Sequence, residues 1–122
     1  MITVLLVEDD TILLEDYAFN LEMSGYAVVQ AFNGKEAIRL LTEKIFIPDI
    51  VVSDMMMPLV NGLQLLAYIR QTPQLNPIPF IFITAVNEDK PRHEAESLGI
   101  NDYLIKPFNI EKLLKAIKTA VA

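Results

Sequence analysis

Asp49-Ile50-Val51-Val52-Ser53-Asp54-Met55-Met56-Met57-Pro58 is the stretch that decides the fold: a short apolar run closed by one carboxylate and followed by a proline. Its β-branched residues do not alternate with polar ones, which is the composition of a strand buried on both faces of a sheet. Working outward, Val4 to Val7 has the same character and ends on Glu8-Asp9-Asp10. Phe80 to Ile83 ends on Thr84, and Tyr103-Leu104-Ile105 ends on Lys106. Ala27 to Ala31 is less uniformly apolar and is read as an edge strand.

Segments with helical spacing fill the intervals: Thr11–Ser24, Lys35–Lys44, Gly62–Gln71, Glu88–Leu98 and Asn109–Val121. Glycines at Ser24-Gly25 and Leu98-Gly99 stand where a helix C-terminus takes a left-handed residue. Asn33 with Glu36 three residues later reads as a capping box, and Asn109 as the cap of the last helix. In that helix Ile110, Leu113, Leu114, Ile117 and Val121 form one stripe to pack on the sheet. Parallel strands need right-handed crossovers, which put helices on both faces. The expected architecture is α/β: a flavodoxin-like, doubly wound (βα)5 sandwich with strand order 2-1-3-4-5. Residues 1–122 are expected to form a single domain.

Hydrophobic residues make up 52% of the chain, yet no stretch approaches the apolar length of a membrane span, and the N-terminal residues lack the basic character of a signal peptide. A cytoplasmic protein without membrane association is expected. The absence of cysteine excludes disulfides and thiolate metal sites. A formal net charge of −6 argues against direct nucleic-acid binding by this domain, because phosphate neutralisation needs clustered Lys and Arg.

In the expected fold the first and third strands are neighbours, so the carboxylates of Asp9 and Asp54 meet at the C-terminal edge of the sheet. Their repulsion invites a divalent cation. Mg²⁺ takes oxygen ligands, keeps several waters and is usually held by one or two carboxylates plus phosphate oxygens; Mn²⁺ is the alternative. Without metal, one of these carboxyls is expected to titrate high.

Glu8-Asp9, Asp54 with Pro58 and Gly62, Thr84-Ala85, Asp102-Tyr103 and Lys106-Pro107-Phe108 occur in this order at matching strand ends. Together they resemble the receiver domain of bacterial response regulators, over essentially the whole chain. The resemblance implies that Asp54 is the phosphoacceptor, Asp9 a direct Mg²⁺ ligand, Glu8 a ligand through water or a partner behind the direct ligands, and the Met56 carbonyl a further ligand. It implies that Thr84 bonds a phosphoryl oxygen, Lys106 pairs with the phosphoryl group, Tyr103 is an aromatic switch and the peptide before Pro107 is cis. The donor would be a phosphohistidine on a sensor histidine kinase or histidine phosphotransfer domain. The chain would then catalyse its own modification rather than turn over a small substrate. Phosphorylation would draw Thr84 inward, let Tyr103 swing into the vacated space and alter the surface of the fourth helix, fifth strand and fifth helix. That surface would meet an output domain, an effector protein or a second copy of the chain.

Plainer readings exist for each residue. Asp10 suits a helix N-terminus, Met55 to Met57 suit packing, and His93 suits a solvated helix face. A pseudo-receiver that acts as a constitutive interaction module would need a degraded site, and no key position is degraded. A flavodoxin-like cofactor binder would need a glycine-rich loop after the first strand, where Glu8-Asp9-Asp10-Thr11 stands instead. A phosphatase with an Asp-x-Asp motif would need an acid where Met56 stands.

Two departures carry expectations of their own. Met56 and Val86, two residues after Asp54 and Thr84, are apolar where the family often has polar residues that assist the attacking water, so slow self-dephosphorylation is expected. The first helix carries Leu13, Tyr17 and Leu21 on one side and Ile12, Phe19 and Met23 on roughly the other. The second stripe is a candidate docking face for a kinase helical bundle.

Overall fold

Every apolar run identified in the sequence is a strand in the computed structural model, which describes residues 1–43 and 46–122. The strands are β1 (Thr3–Val7), β2 (Ala27–Ala31), β3 (Ile50–Ser53), β4 (Phe80–Thr84) and β5 (Asp102–Ile105). They alternate with α1 (Thr11–Met23), α2 (Gly34–Thr42), α3 (Gly62–Gln71), α4 (Asp89–Leu98) and α5 (Ile110–Val121). All pairings are parallel in the order β2-β1-β3-β4-β5, the flavodoxin-like order expected from the sequence. The second helix was expected to reach Lys44, which lies outside the described residues; α2 ends at Thr42.

Period-2 alternation along each strand divides the core into two layers. Leu5, Val7, Val51, Phe80 and Phe82 face Leu41, Leu65, Leu66 and Ile69. Val4, Leu6, Ile50, Val52, Ile81, Ile83 and Leu104 face Leu14, Leu21, Leu113 and Ile117 of α1 and α5. All these side chains are buried, and each contributes roughly 1.5–3 kcal/mol relative to exposure. Most of β2 is only partly buried, as an edge strand should be.

Local chemistry sets the helix starts. Asp10 caps α1 by accepting from the N–H groups of Ile12 and Leu13 at 3.0 and 3.2 Å, so its charge serves the helix. Asn33 and Asn109 cap α2 and α5 as expected, but Glu36 reaches back to the Phe32 N–H instead of closing a box on Asn33. The complete capping box is at Asn61 and Gln64 on α3, each side chain accepting the other's N–H at 2.9 Å.

Register then places the acids. Val7 pairs with both Ala31 and Ser53, so the chain leaves β1 and β3 at the same level. The ladder extends one residue further: Glu8 N–H donates to Ala31 O at 3.1 Å and Asp54 N–H to Val7 O at 2.9 Å. On the other side, Thr84 pairs with Ile105, and Lys106 N–H donates to Thr84 O at 2.8 Å. The last residues of four adjacent strands thus converge on one edge.

Candidate functional site

Lys106 joins the acids. Its Nζ donates to Glu8 Oε1 at 2.5 Å and to Asp54 Oδ2 at 2.9 Å, bridging the ends of β1, β3 and β5. Glu8 is fully buried and Asp54 nearly so, whereas Asp9 faces solvent. One carboxylate oxygen from each of Glu8, Asp9 and Asp54 lies within 4.8 Å of the others. Such a set of hard oxygen donors fits Mg²⁺ or Mn²⁺.

The two Glu8 oxygens are already engaged, since Oε2 accepts from Asp10 N–H at 3.2 Å while Oε1 holds Lys106. Asp54 Oδ1 accepts from Met55 N–H at 2.7 Å and Met56 N–H at 3.4 Å. Burial pushes the Glu8 carboxyl up to about 7; the Lys106 hydrogen bond offsets part of this, and the nearby Asp54 charge adds to it. The raised pKa thus belongs to the carboxyl most removed from water. Burial alone would lower the Lys106 pKa, but its bonds to Glu8 and Asp54 outweigh this and raise it.

Thr84 is fully buried, and its Oγ1 accepts from Val86 N–H at 3.1 Å. The Val86 carbonyl accepts from the Tyr103 hydroxyl at 2.8 Å, so one loop residue is tied to both Thr84 and Tyr103. Tyr103 was expected to enter space vacated by Thr84; here it is already buried, with Phe82 against its ring and the Arg92 guanidinium 5.0 Å from its centroid. Burial raises the phenol's pKa, with Arg92 opposing. A hydrogen-bonding carbonyl and a facing cation make the inward position comfortable at the outset.

The turn after Asp54 shows constraints that spacing alone did not explain. A Cβ on Gly62 would lie 2.3 Å from Asp54 O and 2.5 Å from the Phe82 ring, and Gly62 N–H donates to Met55 O at 2.8 Å. The glycine lets α3 start directly beneath the acid. Leu59 holds a left-handed φ of 71°, a conformation costing roughly 1–2 kcal/mol for a side-chain-bearing residue. The Lys106–Pro107 peptide is cis.

Ile12, Phe19 and Met23 are exposed on α1, at 78%, 63% and 73%. Met56 and Leu59 are also exposed, in the turn that follows Asp54; Leu59 had no expected role. His93 lies on α4 and no part of it enters the acidic cluster. Among the described residues, no helix is long and apolar enough to cross a membrane.

The family model described as "Response regulator receiver domain" matches residues 4–118. The probable transcriptional regulator ycf29 of Pyropia yezoensis is 40% identical over 118 residues, covering 97% of this chain and 52% of that protein. The transcriptional regulatory protein CpxR of Escherichia coli K12 is 39% identical over 115 residues, covering 94% of this chain and 47% of the relative. The chain thus spans about half the length of these curated relatives. The structure of the chemotaxis response regulator CheY4 of Vibrio cholerae superposes with a TM-score of 0.88 at 29% identity, covering 98% of each chain. With this sequence match, this strand order and these acids beside a lysine, the chain belongs to the response regulator receiver domain family.

Proposed function

We propose that the chain is a phosphorylation-activated switch, a single receiver unit over residues 1–122, in which Asp54 accepts a phosphoryl group from a phosphohistidine on a partner. The observation that carries this reading is the Lys106 ammonium held between Glu8 and Asp54 at 2.5 and 2.9 Å. A structural ion pair needs one acid; here two buried acids share the cation and a third stands beside them. In the transfer, an Asp54 oxygen bonds to phosphorus as the P–N bond to the donor imidazole breaks. The bonding pair leaves on the ring nitrogen, and an acyl phosphate remains on Asp54.

Lys106 would exchange its carboxylate partners for phosphoryl oxygens. Thr84 accepts from Val86 and keeps its own hydroxyl hydrogen to donate to the same group. Asp9, Asp54 and the Met56 carbonyl would hold Mg²⁺ directly, and Glu8, with both oxygens engaged, would act through water. The ion would supply positive charge against the phosphoryl oxygens.

The donor would be a sensor histidine kinase or a histidine phosphotransfer domain in the cytoplasm, docking on Ile12, Phe19 and Met23. The relatives named as transcriptional regulators extend about twice as far as this chain. The surface of α4, β5 and α5 would signal to such an output domain, to a separate effector or to a second copy in a phosphorylation-linked homodimer. Incubation with Mg²⁺ and acetyl phosphate should add one phosphoryl mass to the wild type and none to Asp54→Ala. No addition to the wild type, under conditions that modify another receiver, would mark a constitutive interaction module instead.

A further inference from the structure

A lysine side chain is long and flexible, so the position of its ammonium depends on what fixes the backbone beneath it. Upstream, Lys106 N–H is bonded to Thr84 O at 2.8 Å. Downstream, Pro107, Phe108 and Asn109 precede α5, and Asn109 is committed to capping that helix at Lys112 N–H, 2.9 Å away. Phe108 is the remaining point of attachment. Its ring stacks on Tyr17 of α1, with centroids 5.6 Å apart and planes within 15°. Tyr17 is buried in a layer whose other buried side chains are aliphatic, Leu14, Leu21, Leu113 and Ile117 among them. Among the described residues, the other aromatic pairs, Phe80–Phe82 and Phe82–Tyr103, centre on Phe82 in the opposite layer.

We propose that Tyr17 is a positioning residue for phosphoryl transfer: by stacking on Phe108 it braces the loop that carries Lys106 and keeps the ammonium at Asp54. This rests on the phosphoacceptor reading above. Burial raises the pKa of the Tyr17 phenol; the Lys106 charge opposes this, and the charges of Glu8, Asp54 and Asp16 add to it. Flat aromatic contact restrains both the height and the tilt of Phe108, whereas an aliphatic neighbour would restrain neither as well. Small displacements matter here, since a misplacement of about 1 Å in a catalytic group can cost on the order of 100-fold in rate.

The test is the rate of phosphorylation by phosphoramidate at saturating Mg²⁺, for Tyr17→Phe, Tyr17→Leu and Phe108→Leu, each made in the wild type and in Lys106→Ala. Tyr17→Phe keeps the stack and should stay within about twofold of wild type, while Tyr17→Leu and Phe108→Leu should each lose about tenfold. In Lys106→Ala the same changes should cost nothing more, because the ammonium they position is gone. Within the Lys106→Ala background the Tyr17 and Phe108 substitutions should leave Mg²⁺ affinity unchanged, as neither side chain is a proposed ligand. Phe108→Leu breaks the same stack from the other side, so the question is answered even if Tyr17→Leu does not fold. Wild-type rates in the leucine variants, equal losses in both backgrounds, or a Tyr17→Phe as slow as Tyr17→Leu would overturn the proposal. A wild type that takes no phosphoryl group overturns the phosphoacceptor reading and this one together; a modified wild type with unimpaired leucine variants overturns this one alone.

Discussion

Each end of the sheet holds a partly buried cation, and the two are treated in opposite ways. At the C-terminal ends of the strands Lys106 faces two carboxylates, with a third acid nearby. At the N-terminal ends of β4 and β5, Arg70 meets only neutral carbonyls: Nη1 donates to Asn76 O and Ile78 O at 2.7 Å each, and Nε and Nη2 to Gly99 O at 3.1 and 2.8 Å. The Asn76 side chain returns a bond to Arg70 O. The Arg70 clamp ties α3 to the segments entering β4 and β5, its charge met by carbonyl dipoles. Burial lowers its pKa without any acid to oppose this. The Lys106 end has more acid than one cation can neutralise, and under the proposed function an added cation would answer that excess while Lys106 turns to the phosphoryl group. One end is built to hold and the other to change.

Breaking the Lys106 end should have the largest effect. Lys106→Ala should slow phosphorylation by about 100-fold or more, read from the intact mass over time, because a positioned charge on the transferring group is lost. The pH dependence comes next. Glu8 is raised from 4.5 to about 7 in the fold, so between those values the folded state binds more protons than the unfolded one. Stability contributed at this site is therefore full below 4.5 and is lost as pH rises towards 7. Mg²⁺-free urea titrations should show this loss between those pH values, and Glu8→Gln should flatten it.

Breaking the other end should separate stability from chemistry. Arg70→Met should lower the unfolding free energy from urea titrations by about 2 kcal/mol while leaving the phosphorylation rate within about twofold of wild type. A phosphorylation defect as large as that of Lys106→Ala would erase the contrast between the ends. The smallest effect concerns how long the changed state lasts: Met56→Asn with Val86→Glu should speed loss of the phosphoryl group about tenfold. An unchanged decay would show that these apolar residues do not limit access of water.

Much of this was legible because local rules and the fold agree. Val4 to Val7, Ile50 to Val52 and Phe80 to Ile83 are apolar without alternation, so they read as interior strands. Asp10 read as a helix-start acid and caps α1. What escaped depends on distance along the chain: Lys106 lies 98 residues from Glu8 and 52 from Asp54, and no spacing rule predicts that one ammonium serves both. Glu8 has a raised pKa because its carboxyl is buried, and residue type does not say which acid of Glu8-Asp9-Asp10 the fold buries. The Asn61–Gln64 box was missed although its residue types announce it. Nothing in the sequence joins Tyr17 to Phe108 or Arg70 to Gly99, since packing and carbonyl acceptors leave no trace in residue type. Tyr103 was read as a side chain that moves inward, and its burial here depends on Arg92 and on a backbone carbonyl.

The account turns on which carboxylate takes the phosphoryl group. After incubation with Mg²⁺ and acetyl phosphate, borohydride reduction of the acyl phosphate followed by peptide mass mapping locates it. A single reduced position is expected, Asp54, lost when Mg²⁺ is withheld and strongly diminished in Lys106→Ala. Reduction at Glu8 or Asp9, or equal labelling without Mg²⁺, would contradict it.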